Sequence, residues 1–167
     1  LNVLIDNVLL TSRLDSGEFV FNKEKQNISE FIVTILNRYY KNEISAGEIN
    51  LQVEPNLFVM LDVSTFPSIV TNLVDNALKY SHHEKQISVE LKADNNRINL
   101  LVKDLGCGIL VPDKKKIFGK FFRAGNEETR KSKGTGLGLY IVNYIVKNHN
   151  ATVSVRDNSP KGSIFEI

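Results

Sequence analysis

The apolar residues of this chain recur with two different periods, which predicts a mixture of helices and strands. Spacings of three and four residues predict helices over four segments: 1–14, 28–39, 64–81 and 137–146. Alternation of apolar and polar residues predicts strands at 18–21, 50–53, 57–61, 87–91, 98–102, 151–155 and 163–167. Asn27 or Ser29 is suited to cap the second helix, and Asp62 or Ser64 the third.

The order of these segments favours one fold class. The strands come as hairpins, as at the turn Asp94-Asn95-Asn96, and the helices fall between them without strict alternation. This order predicts an α+β fold, a two-layer α/β sandwich whose mixed, mostly antiparallel sheet carries helices on one face. Residues 105–135 show little periodicity, and so long a loop inside a compact domain is usually functional.

Composition narrows the possible classes of protein. A chain of 167 residues predicts one domain, with room for a small appendage. Its formal net charge of +2 is too small to indicate nucleic acid or an anionic membrane as a partner. The single Cys107 excludes an internal disulfide framework, and three histidines with one cysteine do not make a zinc cluster. No apolar run reaches the roughly 18 residues that span a membrane.

The third predicted helix carries polar residues that suit a metal and a phosphate. Asn72, Asn76 and Lys79 follow one another at helical spacing, just beside an apolar stripe. A carboxamide oxygen can bind Mg²⁺ without adding negative charge beside phosphates, and a lysine supplies a positive charge for them. The same spacing is also typical of a solvated polar edge of a helix.

Two glycine-rich segments predict close approach of a ligand to the backbone. Asp104 ends an alternating strand, and Gly106 and Gly108 follow it, so a carboxylate could accept a hydrogen bond from a base amine beside bare backbone. The second segment, 134–139, leads directly into a helix, whose first N–H groups can bind phosphate. It matches neither a dinucleotide fingerprint nor a P-loop. An ordinary turn and a structural glycine run remain the alternatives.

A basic and aromatic stretch lies between the two glycine segments. Phe118, Phe121 and Phe122 could anchor a mobile segment on the body, while Arg123 and neighbouring lysines face an anion. This composition predicts a lid that closes over a nucleotide, over about residues 114–133. A basic surface loop with an aromatic anchor is the alternative.

In this order and at this spacing, the four motifs resemble the ATP-binding catalytic domain of bacterial sensor histidine kinases, within the larger group that includes gyrase-type ATPases. Residues 72–81 resemble the N box, 104–109 and 134–139 the two glycine boxes, and 118–123 the F box. The resemblance covers residues 18–167 and implies the Bergerat-type ATP-binding fold. Residues 1–17 resemble the end of the helix of a dimerisation and histidine-phosphotransfer domain.

The resemblance implies ATP and Mg²⁺ as cofactors and gives roles to individual residues. Asn76 would be the Mg²⁺ ligand, and Asn72 would help to hold metal or phosphate. Lys79 would contact phosphate, and Arg123 would meet the γ-phosphate in the kinase-competent arrangement. Asn72, Lys79 and Arg123 are therefore the expected catalytic residues.

For the base and the pocket walls, the resemblance implies further residues. Asp104 would read the adenine amine, and Tyr80 would lie against the nucleotide. The remaining residues expected to shape the nucleotide pocket are Gly106, Gly108, Ile109, Phe118, Gly134, Thr135, Gly136, Leu137, Gly138 and Leu139.

The type of reaction depends on Asn72. Gyrase-type relatives hydrolyse ATP with a glutamate at this position, and a carboxamide cannot serve as a general base for water. We therefore expect phosphoryl transfer to a protein histidine rather than ATP hydrolysis. The alternatives are a serine kinase of the anti-sigma-factor type, and a nucleotide-binding regulatory or interaction module without turnover.

The resemblance also implies partners. We expect the chain's own dimerisation and phosphotransfer domain, a response regulator and, in the full-length protein, a homodimer, with no nucleic acid and no membrane contact by this part of the protein. The expected location is the cytoplasm, either as a cytoplasmic protein or as the cytoplasmic part of a membrane-bound sensor. No histidine in the sequence is followed by the acid-rich phosphoacceptor motif, so the acceptor helix is expected to be absent from it. Adjacent His82 and His83, and also His149, are expected to be solvated surface residues.

Overall fold

The structure is a computed structural model, and it describes residues 2–17, 19–81, 85–124 and 134–167. Three sequence-based expectations lie outside these residues: solvated side chains for His82 and His83, the polar part of the lid at 125–133, and the first residue of the strand at 18–21.

Five α-helices occur in the described residues. They are α1 (Asn2–Asp15), α2 (Ile28–Tyr39), α3 (Lys41–Ser45), α4 (Phe66–Tyr80) and α5 (Gly138–Asn148). Asn27 caps α2, since its side-chain oxygen accepts the N–H of Glu30 at 3.3 Å. Asp62 serves the turn before α4, where its Oδ1 accepts the N–H groups of Ser64 and Thr65.

The strands of the described residues form two separate sheets. β1 (Lys23–Asn27) and β3 (Phe58–Asp62) make an antiparallel ribbon. The second sheet has the order β2-β4-β5-β7-β6, with β2 (Ile49–Val53), β4 (Ile87–Asp94), β5 (Arg97–Lys103), β6 (Ser154–Asp157) and β7 (Ser163–Glu166). Only the β2–β4 pair in it is parallel. The predicted α+β class with a mixed, mostly antiparallel sheet is therefore confirmed.

Some expected elements differ from those observed. The segments around Pro55 and Asn56 are strands, but they do not form a hairpin, because β2 joins the large sheet and β3 pairs with β1. Residues 19–22 are not a strand, and β1 follows them in a polar sequence that shows no alternation. The side-chain pattern of β1 does not predict a strand. β1 is a strand because its backbone forms hydrogen bonds with β3.

The core lies between the helices and the large sheet. α4 contacts α2, α5, β4 and β5, so the helix with the predicted polar site residues stands at the centre of the fold. Val70, Leu73 and Val74 of α4 are fully buried against apolar residues of α5 and the sheet. Burial of each such side chain contributes about 1.5–3 kcal/mol, so the position of α4 is firmly determined. The described residues include no helix with the length and apolar character to cross a bilayer.

Candidate nucleotide-binding site

A cavity of about 340 Å³ lies between α4, α5 and the loop that follows β5. It brings together most of the residues singled out in the sequence. The expected site residues on its lining are Asn72, Asn76, Lys79, Tyr80, Asp104, Gly108, Ile109, Arg123, Gly134, Thr135, Gly136, Gly138 and Leu139. Residues from four separate motifs thus share one cavity.

Three expected residues do not line the cavity but support its walls. Phe118 packs edge-on against Phe165, with ring centroids 6.4 Å apart. Leu137 is buried in the core just before α5. Gly106 passes so close to α4 that a Cβ there would lie 2.5 Å from the carbonyl oxygen of Tyr80. These three residues therefore lie behind the cavity lining, and their expected part in shaping a nucleotide pocket stays a prediction.

The cavity lining also includes residues for which the sequence predicts no contact with a nucleotide. They are Asn7, Asp75, Cys107, Ile117, Phe122, Ala124, Ser163 and Phe165. Asp75, Cys107 and Phe122 stand inside the quoted motifs, so the motifs at least indicate their neighbourhood. Asn7 and Ser163 come from distant parts of the chain, and only the fold brings them to the cavity.

Asp104 is buried and held mainly by the backbone. Its Oδ1 accepts the N–H groups of Gly106 at 2.8 Å and Ser163 at 3.2 Å. Its carbonyl oxygen accepts the side-chain N–H of Asn158 at 2.8 Å. Within the described residues no hydrogen bond reaches the second carboxylate oxygen, Oδ2. Asp104 therefore offers one fixed acceptor to a ligand in the cavity.

The environment of Asp104 affects its protonation. Burial raises the pKa of its carboxyl, and the two backbone N–H donors offset part of this increase. Burial of a carboxylate costs free energy unless hydrogen-bond donors interact with it. An exocyclic amine of a base is a donor of this kind.

The opposite wall of the cavity combines α4 with the second glycine segment. A Cβ on Gly138 would lie 2.5 Å from Oδ1 of Asn72, and one on Gly134 would lie 2.6 Å from Nζ of Lys79. Gly138 leaves room for the carboxamide of Asn72, which its hydrogen bonds hold in place, whereas the ammonium group near Gly134 is the end of a flexible side chain. The start of α5 thereby stands beside the carboxamide of Asn72.

The two asparagines of α4 differ in their partners. Asn72 is buried, donates from Nδ2 to the carbonyl oxygen of Ser68 at 2.7 Å, and accepts at Oδ1 from Asn7 at 3.3 Å. The side chain of Asn76 makes no hydrogen bond with any described residue. No cluster of three His, Cys, Asp or Glu side chains in the described residues could hold a metal ion. A hard cation here would therefore share carboxamide oxygens with a ligand.

Asp75 lines the cavity and is bonded to a tyrosine from α2's carboxyl end. The hydroxyl of Tyr40 donates to Oδ1 of Asp75 at 2.7 Å and lies 3.1 Å from the carbonyl oxygen of Thr71. Burial raises the pKa of Asp75, and the bond from Tyr40 offsets part of the rise. This pair ties α2 to the wall that carries the asparagines.

The segment expected to form a lid is anchored by only two of its three phenylalanines. Phe118 and Phe122 pack against the core, whereas Phe121 is 64% exposed. The backbone of Phe121 instead pairs with the glycine segment, where its N–H donates to the carbonyl oxygen of Gly136 at 3.0 Å. Arg123 lines the cavity, as expected of a residue that meets an anion.

His149 differs from its expected role as a solvated residue. Its Nε2 accepts the backbone N–H of Asp62 at 2.9 Å, and Nδ1 lies 2.8 Å from the carbonyl oxygen of Ile145. Its ring also meets Phe21 edge-on, at 5.6 Å between centroids. His149 thus links the end of α5 to the turn that precedes α4.

Comparisons with known proteins agree with this geometry. The profile of the family described as "Histidine kinase-, DNA gyrase B-, and HSP90-like ATPase" matches residues 62–167. "Sensor protein CiaH" of Streptococcus pneumoniae serotype 4 is 35% identical over 169 residues, covering 98% of this chain and 37% of the relative. "Sensor protein kinase WalK" of Staphylococcus aureus is 32% identical over 165 residues, covering 97% of this chain and 40% of the relative.

A solved structure gives the same result. The "Mycobacterial sensor histidine kinase MprB" superimposes with a TM-score of 0.69 at 28% identity, covering 87% of this chain and 95% of that one. The chain spans less than half the length of the two curated relatives.

Proposed function

The chain belongs to the family of histidine kinase-, DNA gyrase B- and HSP90-like ATPases, and from this premise we propose that it is the catalytic domain of a sensor histidine kinase. In this proposal it binds Mg·ATP and transfers the γ-phosphate to a histidine of a dimerisation and phosphotransfer domain. One observation carries the proposal: a buried carboxylate from one motif lines the same cavity as two carboxamides and a lysine from another.

Asp104 would read the adenine base. With Oδ1 already bonded to two backbone N–H groups, Oδ2 remains to accept the adenine amine. Guanine carries a carbonyl oxygen at the corresponding position, which would oppose the carboxylate instead of donating to it. Gly108, Ile109 and Tyr80 lie on the same cavity lining and would meet the base and sugar.

Asn72, Asn76 and Lys79 would hold the phosphates and the metal. The carboxamide oxygen of Asn76 has no partner among the described residues and suits a magnesium ion shared with phosphate oxygens. When bound, the ion would neutralise phosphate charge. Lys79 and the N–H groups at the start of α5 would orient the terminal phosphate, and Arg123 would add a positive charge from the lid side.

The arrangement favours phosphoryl transfer over hydrolysis. A hydrolase of this family needs a general base near the attacking water, and Asn72 is a carboxamide whose Nδ2 and Oδ1 are both hydrogen-bonded. Positioning and charge neutralisation then supply the catalysis. The named relatives are sensor kinases, which disfavours both a serine kinase and a module without turnover.

The partners follow from the same proposal. The whole protein would dimerise, pass the phosphoryl group to a response regulator, and keep this domain on the cytoplasmic side, where ATP is present. In support, two relatives that match nearly all of this chain are named sensor proteins, and each is more than twice its length.

Titration calorimetry on the 167-residue chain tests the proposal most directly. We expect ATP binding that requires Mg²⁺ and exceeds GTP binding. In the full-length protein, labelled γ-phosphate should then appear on a histidine. A folded chain that binds no adenine nucleotide with or without Mg²⁺ would contradict the site, and binding without phosphotransfer would favour a regulatory module.

A further inference from the structure

Helix α1 lies on the nucleotide cavity and contacts it through one face. Asn7, Thr11 and Leu14 follow one another at helical spacing, and Asp15 adjoins Leu14. Leu14 is buried in the core, and its carbonyl oxygen accepts the hydroxyl of Tyr144 at 2.9 Å. This face therefore extends from the cavity to helix α5.

The carboxyl end of α1 is attached to α5 and to the lid segment. The carboxylate of Asp15 accepts a hydrogen bond from Tyr140 at 2.7 Å and forms an ion pair with Lys120. Lys120 belongs to the segment that resembles the F box, and Tyr140 lies in the first turn of α5. Residues of both elements line the cavity, so α1 is joined to two of its borders.

Asn7 lines the cavity and donates a hydrogen bond to the side-chain oxygen of Asn72. Its Nδ2 donates to Oδ1 of Asn72 at 3.3 Å, and Asn7 is part of the cavity lining. The Nδ2 of Asn72 is directed to Ser68, so Oδ1 is the atom of this carboxamide that could meet a cation. A cation at Oδ1 would face the partly positive amide hydrogens of Asn7 at close range. The two interactions are therefore opposed.

Thr11 makes the docking of α1 weaker than it could be. Its side chain is 4% exposed, yet its hydroxyl has no hydrogen-bond partner in the described structure. A buried hydroxyl without a partner disfavours the docked arrangement relative to one in which water reaches it. The helix is thus held at Asn7 and at its carboxyl end but carries an unsatisfied hydroxyl between these two points, which suits reversible docking.

We propose that Asn7 of α1 competes with the metal-bound phosphates for Asn72, so that docked α1 lowers the affinity for Mg·ATP. This inference rests on the proposed function of the cavity. By linkage, Mg·ATP must weaken the docking of α1 by the same factor by which docking weakens Mg·ATP. In the described residues Asp104 has no hydrogen bond with α1, so binding of adenosine should depend little on the helix.

Two substitutions with opposite expected effects test the competition. Asn7→Ala removes the competing donor and should tighten binding of a non-hydrolysable Mg·ATP analogue, by no more than about tenfold for one neutral hydrogen bond. Thr11→Val removes the unpartnered hydroxyl, stabilises docking and should weaken binding of the analogue by about threefold or more. Affinity for adenosine should stay the same in both variants. Ser12→Ala, at an exposed position of α1, is the control.

Hydrogen exchange in the unaltered chain gives an independent readout. The amides of α1 should exchange faster when the Mg·ATP analogue is added and should not respond to adenosine. Unchanged or weaker binding of the analogue by Asn7→Ala, or unchanged or tighter binding by Thr11→Val, would overturn the competition. If neither the unaltered chain nor any variant binds the analogue or adenosine, the proposed function of the cavity fails instead.

Discussion

Asp104 and Asn72 stand on two walls of one cavity, but different parts of the molecule hold them. Around Asp104, two of the three donors are backbone N–H groups, and the third is the side chain of Asn158 beside the same sheet. Asn72 instead accepts its hydrogen bond from Asn7, 65 residues away on a helix outside the sheet. The first wall is fixed by the sheet. The backbone of the second is fixed by the burial of α4, but the hydrogen bond at Oδ1 of Asn72 depends on how α1 is placed.

Under the proposed function, this difference would divide recognition into two tasks. A wall held by backbone hydrogen bonds suits the adenine base, which is the same in every adenine nucleotide. A wall with a side chain that can exchange its hydrogen-bond partner suits phosphates, whose number and charge change during a reaction. Substitutions on the first wall should therefore alter folding or base selection, and those on the second should alter Mg-dependent affinity without altering the fold.

The largest effect is expected where the fixed wall is tightest. At Gly162 an added methyl group would overlap the carbonyl oxygen of Asp104, and the residue has a φ of +98°. Gly162→Ala should destabilise the chain by at least about 3 kcal/mol in urea unfolding. Gly47→Ala is the matched control, since Gly47 has a φ of +73° with open space around it, and it should cost about 1 kcal/mol. Equal losses for the two variants would contradict a wall built by close backbone contact.

On the second wall, the loss should be one of ligand affinity. Asn76→Ala removes the proposed metal ligand and should reduce Mg-dependent ATP affinity by at least about tenfold in calorimetry, with an unchanged melting temperature. Asn37→Ala deletes an exposed carboxamide on α2 and serves as the control. Tight Mg-dependent binding by a folded Asn76→Ala variant would remove Asn76 from the metal site.

Base selection provides a smaller test of the fixed wall. Asp104→Asn keeps the size of the side chain but replaces one acceptor with a donor. The ratio of ATP to GTP affinity should fall by about tenfold, measured by competition for the same site. If both affinities fall together and the ratio holds, Asp104 supports the wall without reading the base.

The smallest expected effect concerns pH and Asp75. Because burial raises its pKa in the folded chain, the charged carboxylate is disfavoured there at neutral pH. The stabilising contribution of the Asp75 carboxyl is complete below its ordinary pKa of 3.8, and it is lost as the pH rises through the higher pKa that the group has in the folded chain. Asp75→Asn should therefore be more stable than the unaltered chain at pH 7, by less than about 1 kcal/mol, and the difference should shrink toward pH 4.

Thermal unfolding across this pH range checks the sign of the predicted stability difference between Asp75→Asn and the unaltered chain. Asp15 should behave oppositely, since its bonds to Lys120 and Tyr140 lower its pKa. The Asp15 contact is therefore present above pH 3.8 and lost as pH falls through the lowered value. A stability difference between Asp75→Asn and the unaltered chain that grows toward acid pH would contradict the burial argument.

Much of the fold could be predicted from the sequence, because its long elements are strongly patterned. The apolar stripe of α4 and the alternating residues of β4 and β5 predicted both type and approximate position, and the family resemblance is confirmed by the match over residues 62–167. β1 was missed because its sequence, Lys-Glu-Lys-Gln-Asn, has no apolar face. Only its pairing with β3 makes it a strand.

The candidate site was predictable where its residues stand in motifs and unpredictable where tertiary contacts supply them. Asn72, Asp104 and Gly138 were found by local spacing, and they share the cavity. Asn7 carries no local signal, because its role depends on how α1 packs. The aromatic ring of Phe121 predicts an anchor, but the backbone turns at this residue and leaves the ring exposed to solvent. The assigned chemical roles stay predictions until binding is measured.

The firm attachment of Asp104 to the sheet also affects how fast a nucleotide would bind and leave. A wall that needs no ordering when the base arrives adds little to the activation barrier for entry or exit. The time that a nucleotide stays bound would then be determined by its phosphates at Asn72, Asn76 and Lys79. A nucleotide that has given up its terminal phosphate would hold fewer of these contacts and depart sooner, so the cavity would clear its product faster than its substrate.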